Sequence, residues 1–188
     1  MPGINKLYSV KTNSLKLTWR QMLAHYAIVP FLLIAPIITT YSLIQIYLTH
    51  SYTGVRSAEE LIMTGYLWII PALLFYFIQK KRLKFREIKI SVKPESFKEA
   101  AVLTGNKLNW EIQNISNDYV VAIRNGNFIG GSRGELITII RKKEIVLINS
   151  ICNPDNIISV ASWGWNKKNV ETFKISLESI SNVEENKI

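Results

Sequence analysis

The chain is poor in the residues that do most covalent and metal chemistry. Its 188 residues include one cysteine, Cys152, and two histidines, His25 and His50. A lone cysteine excludes an intrachain disulfide and a cysteine-based metal cluster within one chain. The two histidines stand at opposite ends of the first apolar run, so they are not expected to share an ion. No histidine follows His50, and a serine or cysteine nucleophile there lacks a histidine base to activate it. Glu95, Glu99, Glu111, Asp118, Glu135 and Glu144 show no spacing that singles out a carboxylate pair. The glycine-rich stretch GNFIGGSRGE, 126–135, lacks the lysine of a phosphate-binding loop and precedes a strand pattern, not a helix. Its Gly and Asn residues suit a hairpin loop, with Arg133 placed to face an acidic partner. The expectation is no catalytic residue, no metal site and no cofactor.

Charge is also missing over two long stretches. From Met22 to Ser51 there is no Asp, Glu, Lys or Arg, and the apolar run 23–48 within it is 26 residues long. Residues 61–78 are a second uncharged run, of 18. A helix needs roughly 20 apolar residues to cross a bilayer, so both runs are read as membrane spans joined as a hairpin over 22–79. Pro30, Pro36 and Pro71 lie inside them, which membrane helices tolerate because neighbouring groups re-satisfy the freed backbone. A cleaved signal peptide is disfavoured for the first run, which is too long and lacks a small-residue cleavage site. The polar residues Thr39, Thr40, Ser42, Gln45 and Thr64 are read as packing between helices.

The net charge is +9, and its distribution orients the hairpin. Residues 1–22 carry four bases and no acid, whereas the loop between the runs carries one base, Arg56. After the second run, QKKRLKFREIKISVK (79–93) holds seven bases and one acid. Lys and Arg collect on the cytoplasmic side of spans. Both termini are therefore expected in the cytoplasm, with the protein in the inner, cytoplasmic membrane of a bacterium. The stretch has two readings. Lys80, Lys81, Arg82, Lys84 and Arg86 either contact anionic lipid headgroups or bind nucleic acid, since both are polyanions. The position beside a span favours lipid.

Beyond the hairpin the pattern alternates between periods of two and of 3.6. Residues 86–94 alternate as a strand, and Pro94 opens a helix pattern that Gly105 and Asn106 are expected to stop. Residues 108–116 and 118–125 read as strands joined at Asn117-Asp118. GELITIIRKK and EIVLINSIC are the strongest strands and read as a hairpin through Arg141-Lys142-Lys143. Val170, Phe173, Leu177 and Ile180 then recur at helical spacing. Strand, helix, four strands, helix makes an α+β domain: an antiparallel sheet with two helices on one face. The order is similar to one repeat of the TATA-binding-protein fold, a likeness of topology that carries no function. The organisation read from the sequence is an N-terminal cytoplasmic arm, 1–21; the hairpin, 22–79; a basic juxtamembrane segment with the first strand, 80–93; and the α+β domain, 94–188.

One stretch is dense enough to be a surface. SICNPDNIISVASWGWNKKN runs from Ser150 to Asn169. Trp163 and Trp165 are candidate anchors for a partner, and Asn166, Lys167 and Lys168 open a helix that attracts an anion. The plainer reading is a turn at Asn153-Pro154-Asp155, a bend at Gly164 and a helix cap at Asn166. At 134–180, GELITII, VLINSICNPD and WGWNKKNVETF together resemble the end of small bacterial two-span membrane proteins of uncharacterised role. Those end in a hairpin, a polar segment and N-x-x-N opening a helix. The resemblance implies a bacterial membrane and an α+β domain, with no activity to transfer. The sequence thus suggests a non-catalytic binding or accessory module anchored in the membrane, with a protein partner and lipid headgroups as its contacts. The alternatives are a membrane-associated enzyme using carboxylates or Cys152, and a membrane-tethered nucleic-acid-binding or regulatory module.

Overall fold

The computed structural model describes residues 13–126, 134–156, 162 and 164–185. The chain divides into two compact units: a hairpin unit, Tyr26–Lys81, and a sheet unit built from the stretches up to His25 and from Arg82 onward.

Helix α1 (Trp19–Tyr26) precedes the hairpin, which begins with α2 (Ile28–Ile44) and a π-helical turn, Gln45–Thr49. The helices α3 (Ala58–Tyr66) and α4 (Ile69–Arg82) return. The interruptions fall where proline chemistry puts them. Pro30 has no N–H to give the Tyr26 carbonyl, and α1 and α2 part at Ala27. Pro71 likewise deprives Leu67, and α3 and α4 part at Leu67–Trp68. Pro36 stays inside α2, and Thr40 Oγ1 donates to its carbonyl at 2.8 Å. Ser57 and Glu60 form a reciprocal capping box that starts α3, with Glu59 and Glu60 at the favourable end of the helix dipole.

Two apolar helical stretches are long enough to cross a membrane, Ile28–Thr49 with 22 residues and Ala58–Arg82 with 25. The first starts five residues later than the apolar run 23–48, because the Pro30 break assigns the preceding turns to α1. Within the unit, α2 meets α3 through small residues. A Cβ on Gly65 would lie 1.7 Å from Thr39 Oγ1, so glycine is required for this approach. Thr39 Oγ1 donates to the Leu61 carbonyl at 3.5 Å, and the Thr40 and Tyr66 hydroxyls lie 3.1 Å apart.

The sheet unit is α+β, as the sequence pattern implied. Its strands are β1 (Arg86–Lys89), β2 (Trp110–Ile115), β3 (Tyr119–Asn125), β4 (Gly134–Arg141) and β5 (Ile145–Cys152), in the order β1-β5-β4-β3-β2, every neighbour antiparallel. Helix α5 (Pro94–Leu108) links β1 to β2, and α6 (Trp165–Glu185) follows β5. The helix starting at Pro94 does not stop at Gly105-Asn106. It continues to Leu108 and ends where Asn109 turns left-handed, φ 55°. Gly105 is buried within the helix, and a Cβ there would meet Trp110 and Ile112 at an ordinary 3.6 Å.

One sheet face carries both helices. Phe97, Ala100 and Ala101 of α5 and Val170, Phe173 and Leu177 of α6 pack with Val120, Ala122, Ile137, Ile139, Val146 and Ile148. The two helices lie on one face as expected, and the other face is not bare. Leu15, from the segment before the hairpin, and Phe85, from the segment after it, lie with Leu136, Ile140, Leu147 and Ile151. These two segments pair with each other: Leu15 N–H donates to the Leu83 carbonyl at 2.8 Å and Phe85 N–H to the Asn13 carbonyl at 3.2 Å. Strands β4 and β5 are therefore buried on both faces, which explains their continuous apolar runs.

Candidate functional site

Antiparallel register assembles a row of unlike residues across the sheet. Trp110 on β2 stands opposite Arg124 on β3, Arg124 opposite Glu135 on β4, and Glu135 opposite Cys152 on β5. Side chains alternate along a strand. Arg124 shares its face with Val120 and Ala122, and Glu135 shares its face with Ile137 and Ile139, all in the core beneath the helices. Glycine begins β4 for a geometric reason. Gly134 has φ +109°, and a Cβ there would come within 2.8 Å of the Arg124 carbonyl.

The row is buried and charged. Glu135 is fully buried, and the Arg124 side chain is 8% exposed. Arg124 Nε donates to Glu135 Oε2. Arg124 Nη2 has no hydrogen-bond partner among the described residues. The guanidinium carbon lies 3.6 Å from the ring centroid of Trp165, the first residue of α6, and Lys168 Nζ lies 4.4 Å from the same centroid. Trp165 thus serves two cations through its π-face.

Beside the ion pair runs a neutral chain. Trp110 Nε1 donates to Asn169 Oδ1 at 3.1 Å, Asn169 Nδ2 to Ser150 Oγ at 3.0 Å, and Ser150 Oγ to Asn166 Oδ1 at 3.1 Å. Asn169 is fully buried. The chain ties β2, β5 and the first two turns of α6 into one polar plug, and each buried polar group in it has a partner. Asn166 is not the helix cap that its position suggested. The helix begins one residue earlier, at Trp165, and the Asn166 amide receives the Ser150 proton. The positive φ of Gly164, +87°, makes the bend.

The candidate partner surface is brought together in part. Trp165 and Asn166 are half-buried in the plug, and Lys167 and Lys168 are exposed at its rim. Trp163 and Arg133 lie outside the described residues. Of the basic stretch, Lys80, Lys81 and Arg82 close α4, Lys84 is exposed in the segment after it, and Arg86 on β1 pairs with Glu171 on α6 at 3.4 Å.

The Asn153-Pro154-Asp155 turn has a partner as well. Asp155 N–H donates to Asn153 Oδ1 at 3.1 Å, and both Asp155 carboxylate oxygens accept from Gln21 Nε2 of α1, at 3.1 and 3.0 Å. Helix α1 therefore belongs to the sheet unit and brings buried His25 into it. No histidine follows His50, but the sheet unit holds His25 from the stretch before the hairpin.

Arg124, Glu135, Trp110 and Asn169 were not singled out by the sequence reading. A signal existed for the first two: each charge falls in phase with buried apolar residues of its strand. Trp110 and Asn169 gave none, because their bond spans 59 positions. Among the described residues no group of three or more His, Cys, Asp or Glu is placed to hold a metal ion. Comparison with protein-family models, with curated proteins and with solved structures found no match to the chain.

Proposed function

We propose that this protein is a membrane-anchored, non-catalytic binding or accessory module. The observation that carries the reading is the surface of the hairpin unit. Phe31, Ile37, Tyr41, Leu48, Met63, Ile70, Leu74 and Phe77 all point outward. In water a continuous apolar belt of this kind is an aggregation liability. In a bilayer it faces its proper solvent, and 22 helical residues rise about 33 Å, against a hydrocarbon core of about 30 Å. The basic residues on both flanks favour cytoplasmic termini, which supports a reading with the sheet unit at the inner face of a bacterial cytoplasmic membrane. Lys80, Lys81, Arg82 and Lys84 then meet anionic headgroups.

The polar row supports a structural role for its residues. The Glu135 carboxylate is bound by Arg124, which weakens the reading of an enzyme that uses it with Cys152. What remains at the rim is exposed Lys167 and Lys168, the latter over the ring face of Trp165. Two cations at the start of a helix next to an aromatic ring suit an acidic segment of a protein partner.

The test is crosslinking of the tagged full-length protein in its own membranes, followed by mass spectrometry. A stoichiometric protein partner that is lost on Lys167→Glu/Lys168→Glu, with membrane insertion unchanged, is the expected result. A partner retained by that variant refutes the surface, and no captured protein refutes the accessory reading.

A further inference from the structure

Helix α1 is inside out. In a helix lying on a globular core the apolar stripe faces inward. Here Gln21 and His25 are the buried residues, while Trp19, Met22 and Leu23 are exposed, Trp19 at 69% and Leu23 at 63%. At 100° per residue, 19, 22 and 23 form one face and 21 and 25 the opposite one.

The inversion is held by specific bonds. Thr18 N–H donates to Gln21 Oε1 at 3.0 Å, and Gln21 N–H donates to Thr18 Oγ1 at 3.4 Å, a capping box at the helix start. The remaining end of the same amide, Nε2, donates to both oxygens of Asp155. Gln21 thus fixes where the helix begins and which way it is rotated. The apolar face is turned outward by the sheet unit itself.

We infer that α1 is an interfacial helix, and that the occupant of its Trp19–Met22–Leu23 face is the boundary between lipid headgroups and acyl chains. The inference rests on the membrane reading above and adds a depth for helix α1. Three observations select lipid over a protein partner. A single residue, Ala27, separates α1 from the membrane-length stretch that starts at Ile28, so the face is continuous in the chain with a lipid-facing surface. Arg20, exposed on the helix, and Lys16, exposed three residues before its start, match anionic headgroups. Tryptophan at its outer end suits the interface, where an amphipathic ring settles. The Gln21–Asp155 contact ties the helix to the Asn153-Pro154-Asp155 turn.

The test uses the full chain in nanodiscs of phosphatidylcholine with a minority of phosphatidylglycerol. In a Cys152→Ala background, nitroxide labels at Met22→Cys, Leu23→Cys, Leu73→Cys and Lys167→Cys are compared by collision with oxygen and with a water-soluble nickel chelate. Labels at 22 and 23 are expected to favour oxygen severalfold over the label at 167, and less than the label at 73. Preference for oxygen at 73 with water access at 22 and 23 overturns this inference and leaves the membrane reading standing. Water access at 73 overturns both. Shielding of 22 and 23 from both reagents, as in a protein contact, also overturns the inference. In the chain with its native cysteine, brominated lipid is expected to quench a fluorescence component that Trp19→Phe removes, and an unchanged quenching profile in that variant contradicts the placement.

Discussion

Replacing Leu15 with alanine tests whether the segment before the hairpin is part of the fold of the sheet unit. Leu15 is 2% exposed and packs with Phe85, Leu136, Ile140, Leu147 and Ile151 on the sheet face away from the helices. Removing a buried leucine side chain costs about 2–5 kcal/mol, depending on how far the site collapses. Phe85 and Leu15 come from paired, short segments that can shift, which favours the middle of that range. Cys152 supplies the assay. It is the single cysteine, it is 8% exposed, and it lies on β5 next to Ile151 of the same cluster. Its alkylation in bilayer-reconstituted protein follows the opened population when opening is fast relative to labelling. At about 1.4 kcal/mol per factor of ten, Leu15→Ala should raise the rate by about two to three orders of magnitude. Val102→Ala, at a half-exposed position on α5, should shift stability by no more than about 0.5 kcal/mol. An unchanged rate in Leu15→Ala, with acceleration in the core variant Phe173→Ala, refutes the idea that this segment covers the second face.

The same thiol assay reads the polar row. Arg124→Met leaves the carboxylate of fully buried Glu135 uncompensated and should cost about 3–5 kcal/mol, whereas Arg124→Met/Glu135→Leu should recover most of it; a double variant no better than the single one contradicts the pairing. Asn169→Ala leaves Trp110 Nε1 without its acceptor and should cost about 1–3 kcal/mol, read as faster labelling; a rate equal to that of the parent contradicts a stabilising role for the plug. In the hairpin, Gly65→Ala drives a methyl into Thr39. The detergent-solubilised protein should lose thermal stability, and Thr39→Gly in the same chain should recover part of it. Absence of both effects means that α2 and α3 do not meet there.

The α+β class, the two apolar stretches, the antiparallel β4–β5 hairpin and the buried face of α6 were legible because each is written in local periodicity. Val170, Phe173 and Leu177 recur at helical spacing, and they are buried. Proline also acts locally, so the breaks before Pro30 and Pro71 follow from the covalent loss of a donor. Stop signals were less reliable. Gly105 suited a helix end by type, but the helix runs through it to Leu108 and ends at left-handed Asn109.

What the sequence by itself determined was therefore whatever depends on neighbours within a turn or two: helix against strand, the length of the apolar helical stretches, charge asymmetry. What only the tertiary structure decided depends on pairs far apart in the chain. Arg124 meets Glu135 across a strand pair, Trp110 meets Asn169 across 59 positions, and Gln21 meets Asp155 across 134. A hydrogen bond selects its partner by distance and direction, and no local pattern encodes either until the sheet register and the helix rotation are set.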